Sequence, residues 1–410
     1  MQIPNRSLRI AVISKADAGG GGASKVAEQS VAWLKAAGHQ ATHFAGFTTR
    51  PSRHAQKLYW PVTKAGIYGH RLLKYAGIPE LVPLELPKLW PAIVGKYDLV
   101  HFHDLAGTIS PVTLRALAAK LPVVWTIHDC SPFTGGCLYP MGCTKFQSSC
   151  AGCPSKEWPI DNSFVFTRLL QNVKAGVHAH PNITCVTPSQ WMADTAATAS
   201  IVQRKPLVIA NGIDLSEYRG LEKVLVRKVL GLPEDRPLVL LSAGNLKDPR
   251  KGVREAIQAL HGLSGPKPMV LLLGHPDAET DKLLSGLDAH SFGYVSDSRL
   301  LNQIYAAADV FLFPSFADNQ PLAILESLAS GTPVVGFATG GVPEMIRNDV
   351  TGQMVPTGDV PALSAALAGF LADSATPWRE NCLGVAPYYD KKMFVARHVE
   401  LYSRLIKDVA

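Results

Sequence analysis

Apolar runs of strand length recur along this chain. Each is followed by a polar or glycine-rich loop and then by apolar residues at helical spacing. LRIAVIS (8–14), YDLVHFHDL (97–105), PVVWTIHDC (122–130), ITCVTPS (183–189), PLVLLSAGN (237–245), MVLLLGH (269–275), VFLF (310–313) and TPVVGF (332–337) are such runs. Strands this continuously apolar belong to parallel sheets covered on both faces. Their alternation with helices predicts an α/β chain built from doubly wound, Rossmann-like sheets. A length of 410 residues suits two such domains. The Asn-Gly turn in PLVIANGID (206–214) marks the junction. We expect an N-terminal domain over 1–205 with a Cys-rich insertion at 130–155, and a second domain over 206–385. The closing segment, 386–410, has the spacing of an amphipathic helix.

The most informative stretch is PSFADNQPLAILESLASGTPVVGFATGGVPEMI, residues 314–346. A polar loop, Ser315 to Gln320, follows the strand VFLF. Apolar residues at 322, 324, 325 and 328 then predict a helix, with Pro321 at its start and Gly331 at its stop. GGVPEMI predicts another helix after the next strand. Loops at the carboxyl ends of parallel strands face a crevice, and helix N-termini there favour anions. Asp318 and Glu326 flank the start of the helix. Acids so placed accept sugar or ribose hydroxyls, or simply support the helix. Spacing alone does not choose between the two.

A second loop, LKDPRKG, carries Lys247, Arg250 and Lys251 just before a helical pattern. Three cations beside a helix N-terminus suit a diphosphate. In the first half, Gly19 to Gly22 follow the first strand as a phosphate cradle, without the GK[ST] of a P-loop or a clean G-x-G-x-x-G. His128 ends a strand beside Asp129, and His101 and His103 end another. His103 with Asp104 is a second-rank candidate for contacting an acceptor. No carboxylate of this half stands out as a nucleophile.

Four cysteines, Cys137, Cys143, Cys150 and Cys153, follow with spacing C-x5-C-x6-C-x2-C. Disulfides are rare in a cytosolic protein, so we expect a closed structural zinc site. Residues 50–76 interleave Lys, Arg and His with Tyr59, Trp60, Tyr68 and Tyr75. They read equally as a solvated flap or as a basic amphipathic helix at an anionic membrane. Lys plus Arg exceed Asp plus Glu by 40 to 33. This diffuse excess suits anionic ligands and lacks the aromatic-lined basic groove of a nucleic-acid binder. No apolar run reaches the length of a membrane span, and no signal-peptide layout precedes the first strand. The expected location is the cytoplasm, with peripheral contact at the inner face of the membrane.

Asp318-x7-Glu326 followed by SLASGTPVV and GGVPEMI resembles the E-x7-E region of family 4 retaining glycosyltransferases. The DNQP loop is similar to that of bacterial exopolysaccharide enzymes of the colanic-acid type. The resemblance implies the GT-B fold: two Rossmann-like domains facing across a cleft, the last helix crossing back to the first. It implies transfer of a sugar from a nucleotide-diphosphate donor to a glycan or polyprenyl-linked acceptor with retention. It places His128 on the donor's C6 hydroxyl and Gly21 and Gly22 near its diphosphate. Lys251 and Arg250 meet the leaving group, and Asn245 stands where relatives carry Arg, with Lys247 or Arg250 as substitutes. Asp318, Asn319, Gln320, Pro321 and Leu322 hold sugar and phosphate, and Glu326 holds the ribose. No catalytic metal is implied. A nucleotide-sugar-binding protein without transfer, a GT-B epimerase and a zinc-dependent interaction protein are the competing expectations.

Overall fold

The computed structural model describes residues 6–48, 55–58, 63–154, 166–242, 246, 248–265, 267–373 and 375–407. They form two compact units. One comprises residues 1–211 and 392–410, the other 212–391.

The first unit holds a sheet of seven strands: β1 (Arg9–Ala16), β2 (Gln40–Phe47), β3 (Ala55–Lys57), β4 (Leu99–Phe102), β5 (Val123–Thr126), β6 (Ile183–Thr187) and β7 (Leu207–Val208). Their spatial order is β3-β2-β1-β4-β5-β6-β7, and every pairing is parallel. The chain therefore winds outward in both directions from β1 and β4, where Ile10 lies beside Leu99. A crevice opens beyond the carboxyl ends of two such strands.

The second unit repeats the plan with six parallel strands: β8 (Leu238–Ser242), β9 (Met269–Leu273), β10 (Ala289–Ser291), β11 (Val310–Phe313), β12 (Val334–Phe337) and β13 (Gly352–Val355). Their order, β10-β9-β8-β11-β12-β13, puts the switch point between β8 and β11. Alternating side chains divide between two cores, as a pleated strand dictates. Leu238, Leu240, Leu271, Leu273, Phe311 and Phe313 pack with Ile304, Ile324 and Leu328 on one face. Val239, Leu241, Val270, Leu272, Val310 and Leu312 pack with Ile257, Leu260 and Leu367 on the other.

The closing helix, Lys391–Lys407, falls almost entirely within the first unit. Phe394 stacks edge-on against Trp33 at 5.5 Å, and Tyr402 O–H lies 2.7 Å from His101 Nδ1. Residues 342–346 differ from expectation. GGVPEMI forms only a 3-10 turn, Val342–Glu344, because the Arg347 N–H goes to Thr351 Oγ1 and the chain turns there into β13.

Candidate active site

In the second unit the site is built where β8 and β11 end. The loop after β11 carries Ser315, Phe316 and Asp318. The loop after β8 carries Asp248, Arg250 and Lys251, the last two in a 3-10 turn, Pro249–Lys251. Phe316 N–H donates to Arg250 O (2.7 Å), so the loops run against each other. Two glycines allow the approach. A Cβ on Gly252, which has φ +62°, would lie 1.9 Å from Pro314 O. One on Gly340, φ +54°, would lie 1.9 Å from Asp318 O. Any side chain at either position would push the Asp318 loop out of place.

This packing presents a tight polar set. Lys251 Nζ lies 2.8 Å from Asp318 Oδ2, and the Ser315 hydroxyl donates to the same oxygen (2.5 Å). Arg250 turns away to clamp Asp248, with Nη2 to Oδ2 at 2.6 Å and Nε to Oδ1 at 3.1 Å. Arginine and lysine of one turn thus face different acids. Asn319 and Gln320 are buried beside them. Pro321 is the N-cap of the helix Leu322–Ala329, which has no side-chain cap on its first N–H groups. The helix Val253–Gly262 after Lys251 likewise has none. By contrast, Asp297 and Asp359 cap the helices Ser298–Ala307 and Val360–Ala372 with their own carboxylates. Helix termini left this way offer their dipoles to an external anion. Asn245 and Lys247 lie outside the described residues.

Glu326 sits inside the helix, 7% exposed. Tyr305 O–H lies 3.4 Å from its Oε2. Burial, and then the nearby Glu326 carboxylate, raise the pKa of both Tyr305 and Tyr218 well above a phenol's usual value. These two tyrosines, 21 and 108 residues away in sequence, carry no local motif that marks them.

In the first unit the glycine loop follows β1. Gly21, at φ 111°, is the N-cap of the helix Gly22–Ala36, again without a side-chain cap. Across the switch point, His103 and His128 follow β4 and β5. Their rings stack at 5.3 Å, with His103 Nδ1 3.0 Å from His128 Nε2. Burial pulls His128 down to about 4, against a smaller upward pull from Asp104. It also holds His103 well below its ordinary value. Both rings are therefore neutral at pH 7, and one of the facing nitrogens must donate. His103 Nε2 is buried and has no partner among the described residues. Orphaned buried N–H groups are rarer than orphaned acceptors, so the network assigns His103's proton to Nδ1. His103 then donates to His128 Nε2, and His128 carries its own proton on Nδ1. His101 has both nitrogens taken, by Tyr402 O–H and by Thr126 Oγ1 at 2.7 Å each, so it is a packed core residue.

The carboxylates beside the two histidines also converge here, with a lysine that the sequence reading did not single out. Lys15 Nζ at the end of β1 lies 2.6 Å from Asp104 Oδ2. Burial, and then Asp104, raise Asp129 to about 6.

The Cys-rich segment packs as a loop. Cys130 and Cys150 are buried with Ile127, Phe133, Phe146 and Met192. Gly135 N–H donates to Cys150 Sγ (3.1 Å). Burial pushes the Cys137 thiol up to about 11. Among the described residues, no three His, Cys, Asp or Glu side chains are grouped so as to hold a metal ion. No helix among the described residues is long and apolar enough to cross a membrane.

Two family models match this chain. "Glycosyltransferase Family 4" covers residues 20–217 and "Glycosyl transferases group 1" covers 237–373. Among curated relatives, the D-inositol 3-phosphate glycosyltransferase of Actinosynnema mirum is 34% identical over 279 residues, 64% of this chain and 61% of the relative. The sulfoquinovosyl transferase SQD2 of Arabidopsis thaliana is 27% identical over 75% of this chain and 58% of its own length. The chain thus spans about three fifths of these relatives, 58% and 61%. Among solved structures, sucrose-phosphate synthase from Thermosynechococcus elongatus superposes with a TM-score of 0.74 at 21% identity, over 98% of this chain and all of that one. Anabaena HepE in complex with UDP-glucose gives 0.66 at 19% identity, over 97% and 100%. These likenesses establish the GT-B fold.

Proposed function

We propose that this chain, a glycosyltransferase of the family 4 type, moves a sugar from a nucleotide-diphosphate donor to a glycan or lipid-linked saccharide acceptor in polysaccharide synthesis, with retention at the anomeric carbon. The observation that carries the reading is the Lys251–Asp318–Ser315 cluster at the end of β11, with Glu326 one helical turn on. The complexes of HepE with UDP and UDP-glucose support a nucleotide sugar as the donor.

In this reading Lys251 meets the diphosphate, and the uncapped start of Leu322–Ala329 adds its dipole there. Glu326, steadied by Tyr305, accepts the ribose hydroxyls. Asp318 accepts sugar hydroxyls. In the first unit, the Nδ1 proton of His128 is the donor for the sugar's C6 oxygen. The bond from the anomeric carbon to the diphosphate oxygen breaks as the acceptor oxygen bonds on the same face. The acceptor's proton passes to the departing diphosphate, whose charge Lys251 offsets. Such fixed charges act without reorganising during the reaction.

A thermal-shift panel of nucleotide sugars, followed by turnover with lipid-linked acceptors, tests this. Stabilisation by at least one nucleotide sugar and acceptor-dependent product are expected. No stabilisation, or conversion of the donor without acceptor, overturns it. The zinc expected from the cysteine spacing is a separate proposal. Metal analysis of the purified protein supports it if one equivalent is present and is lost with Cys150→Ser.

A further inference from the structure

The helix Thr63–Tyr75 shows large apolar side chains to solvent. Tyr68, Leu72 and Tyr75 are 59%, 68% and 69% exposed. Positions 68, 72 and 75 share one helical face. The stripe does not end with the helix. Phe166 N–H donates to Gly77 O (2.8 Å), which brings the start of the helix Thr167–His178 to the end of the first. Phe166 and Leu169, one turn apart there, are 59% and 42% exposed. Gly69 is packed close to Leu84, itself partly exposed, which extends the apolar surface along the first helix. Five large side chains from two adjoining segments are thus left in water, more than scattered surface residues explain.

The charged residues of the two helices themselves have one sign. Arg71 and Arg168 are exposed and Lys74 is half-buried. The sequence TKAGIYGHRLLKY of the first helix holds no acid. Aromatic and leucine side chains flanked by Arg and Lys, on a helix too short and polar to span a bilayer, are the chemistry of an interfacial helix. The apolar face enters the headgroup boundary and the cations meet anionic lipid.

We infer that this surface docks on an anionic phospholipid bilayer, with Tyr68, Leu72, Tyr75, Phe166 and Leu169 inserting and Arg71 and Arg168 meeting headgroup phosphates. The inference does not rest on the transfer reaction. It would nevertheless explain how an enzyme of this kind reaches a lipid-linked acceptor.

The full chain is sedimented with vesicles of phosphatidylglycerol and phosphatidylcholine, and with phosphatidylcholine alone. Binding to the anionic vesicles that falls as salt rises is expected. Leu72→Asp combined with Phe166→Asp should weaken it by about tenfold or more, and Arg71→Glu with Arg168→Glu should do the same. Melting temperature and nucleoside-diphosphate affinity, read in the second unit, should be unchanged in both variants. That separates this inference from the donor reading. Should either variant melt early, the salt and lipid dependence of the unmodified chain decides. No binding to anionic vesicles overturns the proposal, as does binding indifferent to salt. A concentration-dependent dimer abolished by Leu72→Asp would assign the face to a second copy of the chain and overturn it equally.

Discussion

Lys251 Nζ lies 2.8 Å and 3.1 Å from the two carboxylate oxygens of Asp318, although 67 residues separate them in sequence. The cation proposed to meet a diphosphate is therefore already paired with the acid proposed to meet the sugar. Donor binding has to share Lys251 between them. Removing either partner should have opposite effects on nucleotide binding. Lys251→Ala should weaken binding of a nucleoside diphosphate by about 10- to 100-fold, the worth of one or two charge-assisted hydrogen bonds. Asp318→Asn releases Lys251 and should leave that affinity unchanged or tighter, while kcat/KM for the nucleotide sugar falls. Calorimetry with the diphosphate, beside steady-state kinetics, separates the two. Equal loss of diphosphate affinity in both variants would show that the pair serves only the fold.

The close approach that makes this pair depends on glycine. Gly340→Ala places a methyl group 1.9 Å from Asp318 O, on backbone at φ +54°. Left-handed backbone alone costs alanine about 1–2 kcal/mol, and the clash adds to it. The loop must move, and with it Asp318. We expect a lower melting temperature and lost donor stabilisation. Gly22→Ala is the contrast. Its Cβ meets nothing within 4 Å and its φ is not positive, so melting temperature should hold.

His103 acts through His128. If His103 Nδ1–H sets the proton of His128, a side chain with a donor at the same reach should preserve the arrangement and an apolar one should not. His103→Asn should keep much of kcat, and His103→Leu should lose about 10-fold or more, the worth of one well-placed hydrogen bond. KM for the donor should move little in either. Nitrogen-15 shifts of the His128 ring report the tautomer directly. The Nδ1–H form in the unmodified chain, turning to a mixture in His103→Leu, is the expected signature. An Nε2–H form in the unmodified chain overturns the assignment.

How much of this was legible beforehand follows from the range of each interaction. The strands, the glycine loop and the positions of Asp318 and Glu326 depend on neighbours a few residues away, and the spacing of apolar residues exposes them. The partners of those residues do not. Tyr305 reaches Glu326 from a different helix, and Tyr402 reaches His101 across 301 positions. Asp104 reads in sequence only as the neighbour of His103, and Lys15 of β1 reaches it from 89 positions away. GGVPEMI has the proline and glycines of a helix start, yet Thr351 Oγ1 accepts the Arg347 N–H and the chain turns into β13. Local propensity is overridden there by a contact the local window does not contain.

Acid should destabilise the protein through its buried histidines. Burial draws His43, His128, His178 and His398 down to about 4. In the unfolded chain each titrates near 6.5. Between these values the unfolded chain binds protons that the folded chain does not, so stability falls as pH drops. Each such histidine contributes at most about 1.4 kcal/mol per pH unit. Asp129 works in the opposite sense. Its folded value of about 6 lies above the ordinary 3.8, so over that window the folded chain binds the extra proton and gains stability as pH falls. Burial raises Glu80 as well, but it also lowers His101 and His103, so the histidines outnumber these two carboxylates and set the sign. Melting temperature should be nearly level just above pH 6.5 and fall steeply from there towards pH 4. His398→Phe should flatten the slope, because the ring stacked on Phe394 at 4.1 Å would then have no proton to gain. A melting curve that rises towards pH 4 would mean that these rings are charged in the folded protein.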